Sequence, residues 1–207
     1  MPRTNWKRLV PTLVSTAFTS KGYEAYDHVS FSKSQSEDYL FVASIRHHFG
    51  GGGGGGPHIY LESHIGVAHR QLEALARKVG FCGSSPTDHP GWSIQTVFST
   101  SMAYKEPLGE VKTAVDELAS EVDTTGIASV SKFSALTLPM LEQFLLESNQ
   151  PYRWLKIPLI RVCTGDLGGA RAVLTEMKAN PGQFGAHIKS IENLALSLEP
   201  FLQSNSS

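Results

Sequence analysis

The stretch YLFVASIRHHFGGGGGGGPHIYLESHI, residues 39–65, decides how the rest of the chain is read. Seven consecutive glycines, Gly50 to Gly56, divide it. A glycine run has no side chains to pack and loses more conformational freedom on ordering than any other sequence. It reads as the tip of a hairpin, natural or engineered, and the flanking segments 39–48 and 58–65 read as its strands. A phosphate-cradling loop fits less well, because no Lys-Ser/Thr follows the glycines and no helix opens at Pro57.

If the loop closes symmetrically, His48 lies opposite His58, Arg46 opposite Tyr60, Ser44 opposite Glu62 and Val42 opposite His64. The other face then carries Ile45 opposite Leu61 and Phe41 opposite Ile65. One face is apolar and goes to the helices. The other presents Arg46, His48, His58, Tyr60, Glu62 and His64 on an open or grooved sheet surface. A side-chain period of two keeps these sets apart, although so long a loop pins the register only weakly.

Upstream, Trp6, Leu9, Val10, Leu13, Val14 and Ala17 are spaced as one helical face that ends at Gly22. Pro11 lies inside this pattern, so the helix either kinks there or starts near Val10. Residues 23–32 alternate as a strand, and Ser34-Gln35-Ser36-Glu37 reads as a turn. Downstream of the hairpin, Leu72, Leu75, Ala76 and Val79 mark a helix closed by Gly80. Residues 82–91 form a loop, and Trp92, Ile94, Thr96, Phe98 and Thr100 alternate as a fourth strand.

From Pro107 the period changes to that of helices. Leu108, Val111, Val115, Leu118 and Val122 make one apolar stripe, and Thr137 caps another that runs through Leu138, Leu141, Phe144 and Leu145. Asp166 is the expected N-cap after a Gly165 turn, and Asn180-Pro181-Gly182 stops that helix before the last one. Strands followed by helices define an α+β class, with a small, four-stranded, antiparallel sheet in the N-terminal half and a helical C-terminal half. One domain over residues 1–207 is expected, divided into a sheet-bearing region 1–100 and a helical region 107–202.

Composition narrows the function classes. The chain has 207 residues, 41% hydrophobic and 18% charged, enough apolar material for a core and too much for a disordered chain. A net charge of -1 argues against a polyanion binder. The basic groups Lys7, Arg8, Lys21, Arg153, Lys156 and Arg161 are balanced by acidic residues and lack the aromatic interleaving that stacks bases. No apolar run approaches the roughly 18 residues of a spanning helix, and the N-terminus is too polar for a secretory leader. Two cysteines, Cys82 and Cys163, match no metal or redox spacing, and the expectation is reduced thiols in the cytoplasm.

Catalytic constellations are weak. Cys82, Asp88 and His89 share a loop without an orienting group. The Gly165-Asp166-Leu167-Gly168-Gly169 turn does not match a dinucleotide fingerprint and reads better as a helix-turn-helix. No cofactor is implied. A metal ion shared by His48 and His58, with Glu62 or His64 as third ligand, defines the enzymatic alternative, a metal-dependent hydrolase. The leading expectation is a non-enzymatic module that binds a protein partner, and no nucleic acid or membrane, through Arg46, His48, His58, Tyr60, Glu62 and His64, because Arg and Tyr are favoured interface anchors.

The order of parts resembles small bacterial α+β proteins of the toxin-immunity type. The opening helix ending at Lys21-Gly22-Tyr23, the hairpin 41–65 and the helical C-terminus with Thr164-Gly165-Asp166 before Ala170 carry that resemblance. It implies a cytoplasmic protein that masks a cognate toxin, and it supplies no catalytic residue. The glycine run departs from it.

Overall fold

The structure, a computed structural model, describes residues 5–26, 29–50, 58–80, 93–94, 106–147, 153–184 and 186–203. The expected loop with Cys82, Asp88 and His89, the glycines 51–56 and most of the fourth strand lie outside the described residues. The α+β class is observed. The chain forms two compact units interleaved in sequence, one from residues 1–67 and 96–132, the other from 68–95 and 133–207. The helical segment that begins near residue 107 therefore belongs first to the sheet-bearing unit.

In the first unit, α1 spans Trp6–Thr19 without interruption, with Pro11 inside it. Its stop is a left-handed turn: Gly22 has φ 82°, where a side chain would be strained. The Tyr23 N–H donates to the Phe18 carbonyl at 3.2 Å and the Gly22 N–H to Thr19 at 3.0 Å. The Phe18 and Tyr23 rings meet edge-on at 5.2 Å across the turn, the apolar contact that usually accompanies this cap.

The alternating region after Gly22 is broken into β1 (Glu24–Ala25) and β2 (Ser30–Ser34). β3 (Tyr39–Gly50) and β4 (His58–His69) are both longer than their sequence pattern indicates. β1, β2 and β3 pair antiparallel, and the strand order continues through β4 to the short β5 (Ser93–Ile94), with β6 (Glu106–Pro107) also on β4.

Phe18 stacks on Phe31 at 4.6 Å, and Tyr23 meets Phe41 at 6.0 Å. Phe31, Phe41, Ile45, Ile59 and Leu61 are fully buried. This is the apolar sheet face, and α1 closes it with Val10, Val14 and Phe18. α3 (Val111–Glu121) packs on α1 and runs into a wide turn of π type, Val122–Gly126, followed by α4 (Ile127–Val130).

The second unit is built around α6 (Arg153–Cys163), in which every residue from Trp154 to Ile160 is buried. A helix that is buried on all sides needs neighbours on all sides. Here they are α2 (Arg70–Lys78), α5 (Leu138–Glu147), α7 (Leu167–Ala179) and α8 (Ile188–Gln203). The expected caps are present. Thr137 Oγ1 accepts from the Met140 N–H at 3.5 Å, and the Asp166 carboxylate accepts from the Gly169 N–H at 2.9 Å. His69 caps α2 through its ring nitrogen, which accepts from the Gln71 N–H at 3.3 Å.

Arg161 ties three helices together. Its Nε lies 2.8 Å from Glu142 on α5, and its Nη1 donates to the Gly169 carbonyl on α7 at 3.0 Å.

Candidate functional site

The even-numbered residues of β3 and β4 share the sheet face opposite α1. Arg46 and His48 are exposed, and His58, Tyr60, Glu62 and His64 are half-buried, while Ile45, Ile59, Leu61 and Ser63 between them are buried. The face assignment made from the alternation is thus the observed one for all six residues.

The ring contacts among them centre on Tyr60. His48 lies face to face with Tyr60, ring centroids 4.6 Å apart, and His58 meets Tyr60 edge-on at 4.8 Å. The His58 imidazole also occupies the space over Gly50, where any Cβ would collide with it. Both contacts join residues that face each other directly in a pairing moved along by two residues and are diagonal neighbours in the symmetric one, a reach that rings can span. A two-residue shift leaves every side chain on its original face, so the apolar pattern cannot select between the two registers.

The cluster is a short aromatic ladder with a cation at its side. Stacked and edge-on rings hold one another with roughly 0.5–1.5 kcal/mol per pair beyond area burial. His64 Nε2 sits 3.4 Å from Glu62 Oε1, too long and poorly aligned to count as a hydrogen bond, and this buried nitrogen has no partner. Arg46 makes no ion pair among the described residues. On the opposite face His47 packs edge-on to Phe49 at 5.8 Å. Burial, and then the neighbouring His48, push the His47 imidazole below the ordinary histidine range, which keeps it neutral at pH 7.

Among the described residues no group of three His, Cys, Asp or Glu side chains is placed to hold a metal ion. His48, His58, His64 and Glu62 are therefore gathered on one face without forming a coordination set. The Gly165 turn, considered as a nucleotide-binding loop, is the end of α6: Asp166 N–H donates to the Arg161 carbonyl at 2.9 Å and Gly165 N–H to Val162 at 3.2 Å. Cys163 is a free thiol raised to about 11 by burial, the wrong direction for a nucleophile.

One charged cluster escaped the sequence reading. Lys33 on β2 pairs with Asp123 in the wide turn at 2.6 Å, and its Nζ lies 5.1 Å from the centre of the Tyr23 ring. Burial, and then the Asp123 charge, raise the Tyr23 phenol far above its ordinary value, so it stays protonated and is no general base. Ninety residues separate Lys33 from Asp123, and nothing in their local sequence links them. The arrangement fastens the wide turn to the sheet.

No helix among the described residues is long and apolar enough to cross a membrane. Compared with known proteins, the chain matches no protein-family model, no curated protein and no solved structure.

Proposed function

We propose that the chain is a non-enzymatic protein-binding module that works through the open face of the β3–β4 hairpin. The observation that carries this reading is the ordered ladder His48–Tyr60–His58 beside an exposed Arg46. An interface anchor gains most when its rotamer is already fixed, because less side-chain entropy is lost on binding. Tyr and Arg are also the residue types that most often dominate interface energetics.

The more specific form of the proposal makes the partner a cognate bacterial toxin and the compartment the cytoplasm. The architectural resemblance supports that form.

The test is affinity for a stoichiometric partner recovered with the purified protein from its source cells. Arg46→Ala and Tyr60→Ala should each weaken binding by about tenfold or more, and Glu62→Ala by less. The thermal midpoint of Arg46→Ala should stay within about 3 °C of the parent, since an exposed position contributes little to stability, whereas Tyr60→Ala, which also removes two ring contacts of a half-buried side chain, should lower it by about 2–8 °C. Unchanged affinity in all three variants would remove the hairpin face as the binding surface.

A further inference from the structure

β3 outruns the strand beside it. β2 pairs residue by residue with positions 40–44 of β3, and one further bond runs from the Ile45 N–H to the Val29 carbonyl at 2.7 Å. β3 then continues to Gly50. Among the described residues no strand pairs with positions 46–50 on that side, since the sheet order puts β4 on the other. The N–H and C=O groups of successive residues point to alternate sides of a strand. Those of His47 and Phe49 therefore follow Ile45 toward the edge left without a strand among the described residues, and those of Arg46 and His48 face β4. A strand edge with outward N–H and C=O groups is a template for another strand.

Charge selects the occupant. Arg46 is exposed and makes no ion pair among the described residues. Two copies meeting edge to edge would bring the Arg46 cations against each other, and like charges on paired strands oppose pairing. The carboxylate on this face of β3 and β4, Glu62, is already beside His64. A strand carrying Asp or Glu at alternate positions would complement Arg46 and align its backbone with His47 and Phe49. We propose that the free edge of β3 at His47 and Phe49 receives an extended, acidic segment of a protein partner as an added strand. This rests on the reading of the hairpin as a binding element and names the chemistry of what it binds.

The experiment follows backbone amides of the full chain by NMR while a blocked peptide of about ten residues alternating Glu and Val is added, a length typical of a long strand. The expected result is slower hydrogen exchange, by about tenfold or more, at the His47 and Phe49 amides. The Arg46 and His48 amides, which face β4, should change little. The same peptide with Lys in place of Glu should not bind, and a version N-methylated at alternate residues should lose protection without any change to the protein. His47→Pro, which removes an outward N–H, should also abolish it.

Peptide that shifts the Tyr60 and Glu62 resonances but leaves His47 and Phe49 unprotected would overturn the edge proposal while the face reading stands. No response at either set at millimolar peptide overturns the edge proposal, and the alanine variants then decide the face independently. Equal binding of the Lys peptide overturns the acidic partner. Concentration-dependent protection of the same amides without peptide does so too, because the occupant is then a second copy.

Discussion

Arg161 and Arg46 are the same residue type in two different economies. Arg161 sits on the central helix of one unit and is taken up by the fold, with Glu142 at 2.8 Å and the Gly169 carbonyl at 3.0 Å. Arg46 stands on an open sheet face of the other unit and makes no ion pair among the described residues. A polar group that the fold has already satisfied explains itself. One that is exposed on an otherwise ordered face and makes no ion pair within the fold is where an interaction with something outside the chain can be sought.

The comparison breaks most sharply at Arg161. Arg161→Ala removes a shared anchor of three helices and leaves the largely buried Glu142 carboxylate without it. Losing one partner of such a pair costs about 2–3 kcal/mol, because the remaining charge keeps its desolvation penalty. The thermal midpoint should fall by about 5–10 °C, while Arg46→Ala should leave it nearly unchanged. Equal, small effects in both variants would show that Arg161 is no more committed to the fold than Arg46.

Lys156 sharpens the contrast from inside the same helix. It is 3% exposed, and burial lowers its amine to about 8. The sign follows from linkage: the folded state holds the proton less firmly than the unfolded chain, whose amine titrates near 10.5. Between those values the unfolded state binds more protons, so this group's contribution makes stability rise with pH. Below about pH 8 both states are protonated and the cost of the buried charge is constant. Lys156→Met should therefore stabilise the protein by about 1–2 kcal/mol at pH 7, with the gain shrinking to nothing as pH approaches 10.5. Denaturant midpoints of parent and variant between pH 7 and 10.5 check it, the difference cancelling Tyr39 and Cys163, which burial raises to about 12 and about 11. A gain that does not vary with pH would place the effect in packing rather than charge.

The two regions also differ in how much of them could be read from the sequence. Local rules fixed the helix ends, because the signals sit within a few residues of their effect: Gly22 after α1, Thr137 before α5, and Gly165 with Asp166 between α6 and α7. The period of two placed all six candidate residues on the correct face of the hairpin for the same reason. What sequence did not reveal depends on distance or on a choice that pattern leaves degenerate. Lys33 meets Asp123 across ninety residues. The His48–Tyr60 stack depends on how the two strands pair, and seven glycines impose no preference between registers that differ by two residues. The full burial of α6 was hidden because Lys156, Pro158 and Arg161 interrupt its apolar run. The end of β3 beyond its neighbour could not be anticipated from alternation, which marks strands without showing which of their edges is paired.

The smallest effect expected lies at Gly50, and it separates order from stability on the open face. Gly50 is where the first residue of the glycine run meets the His58 imidazole, and an added methyl would take the place of that ring. Moving a side chain out of its preferred rotamer costs about 0.5–1.5 kcal/mol, while replacing glycine in a strand returns about 0.4–1 kcal/mol through the unfolded chain. The two nearly cancel, so Gly50→Ala should shift the thermal midpoint by no more than about 3 °C. The His58–Tyr60 edge contact should nevertheless disappear from through-space NMR spectra while the His48–Tyr60 stack persists. Partner affinity should then fall by less than in Tyr60→Ala, because one rung of the ladder is disordered and its centre is intact. Loss of both ring contacts would show that His58 holds the whole ladder, and retention of both would show that the glycine is not what seats it.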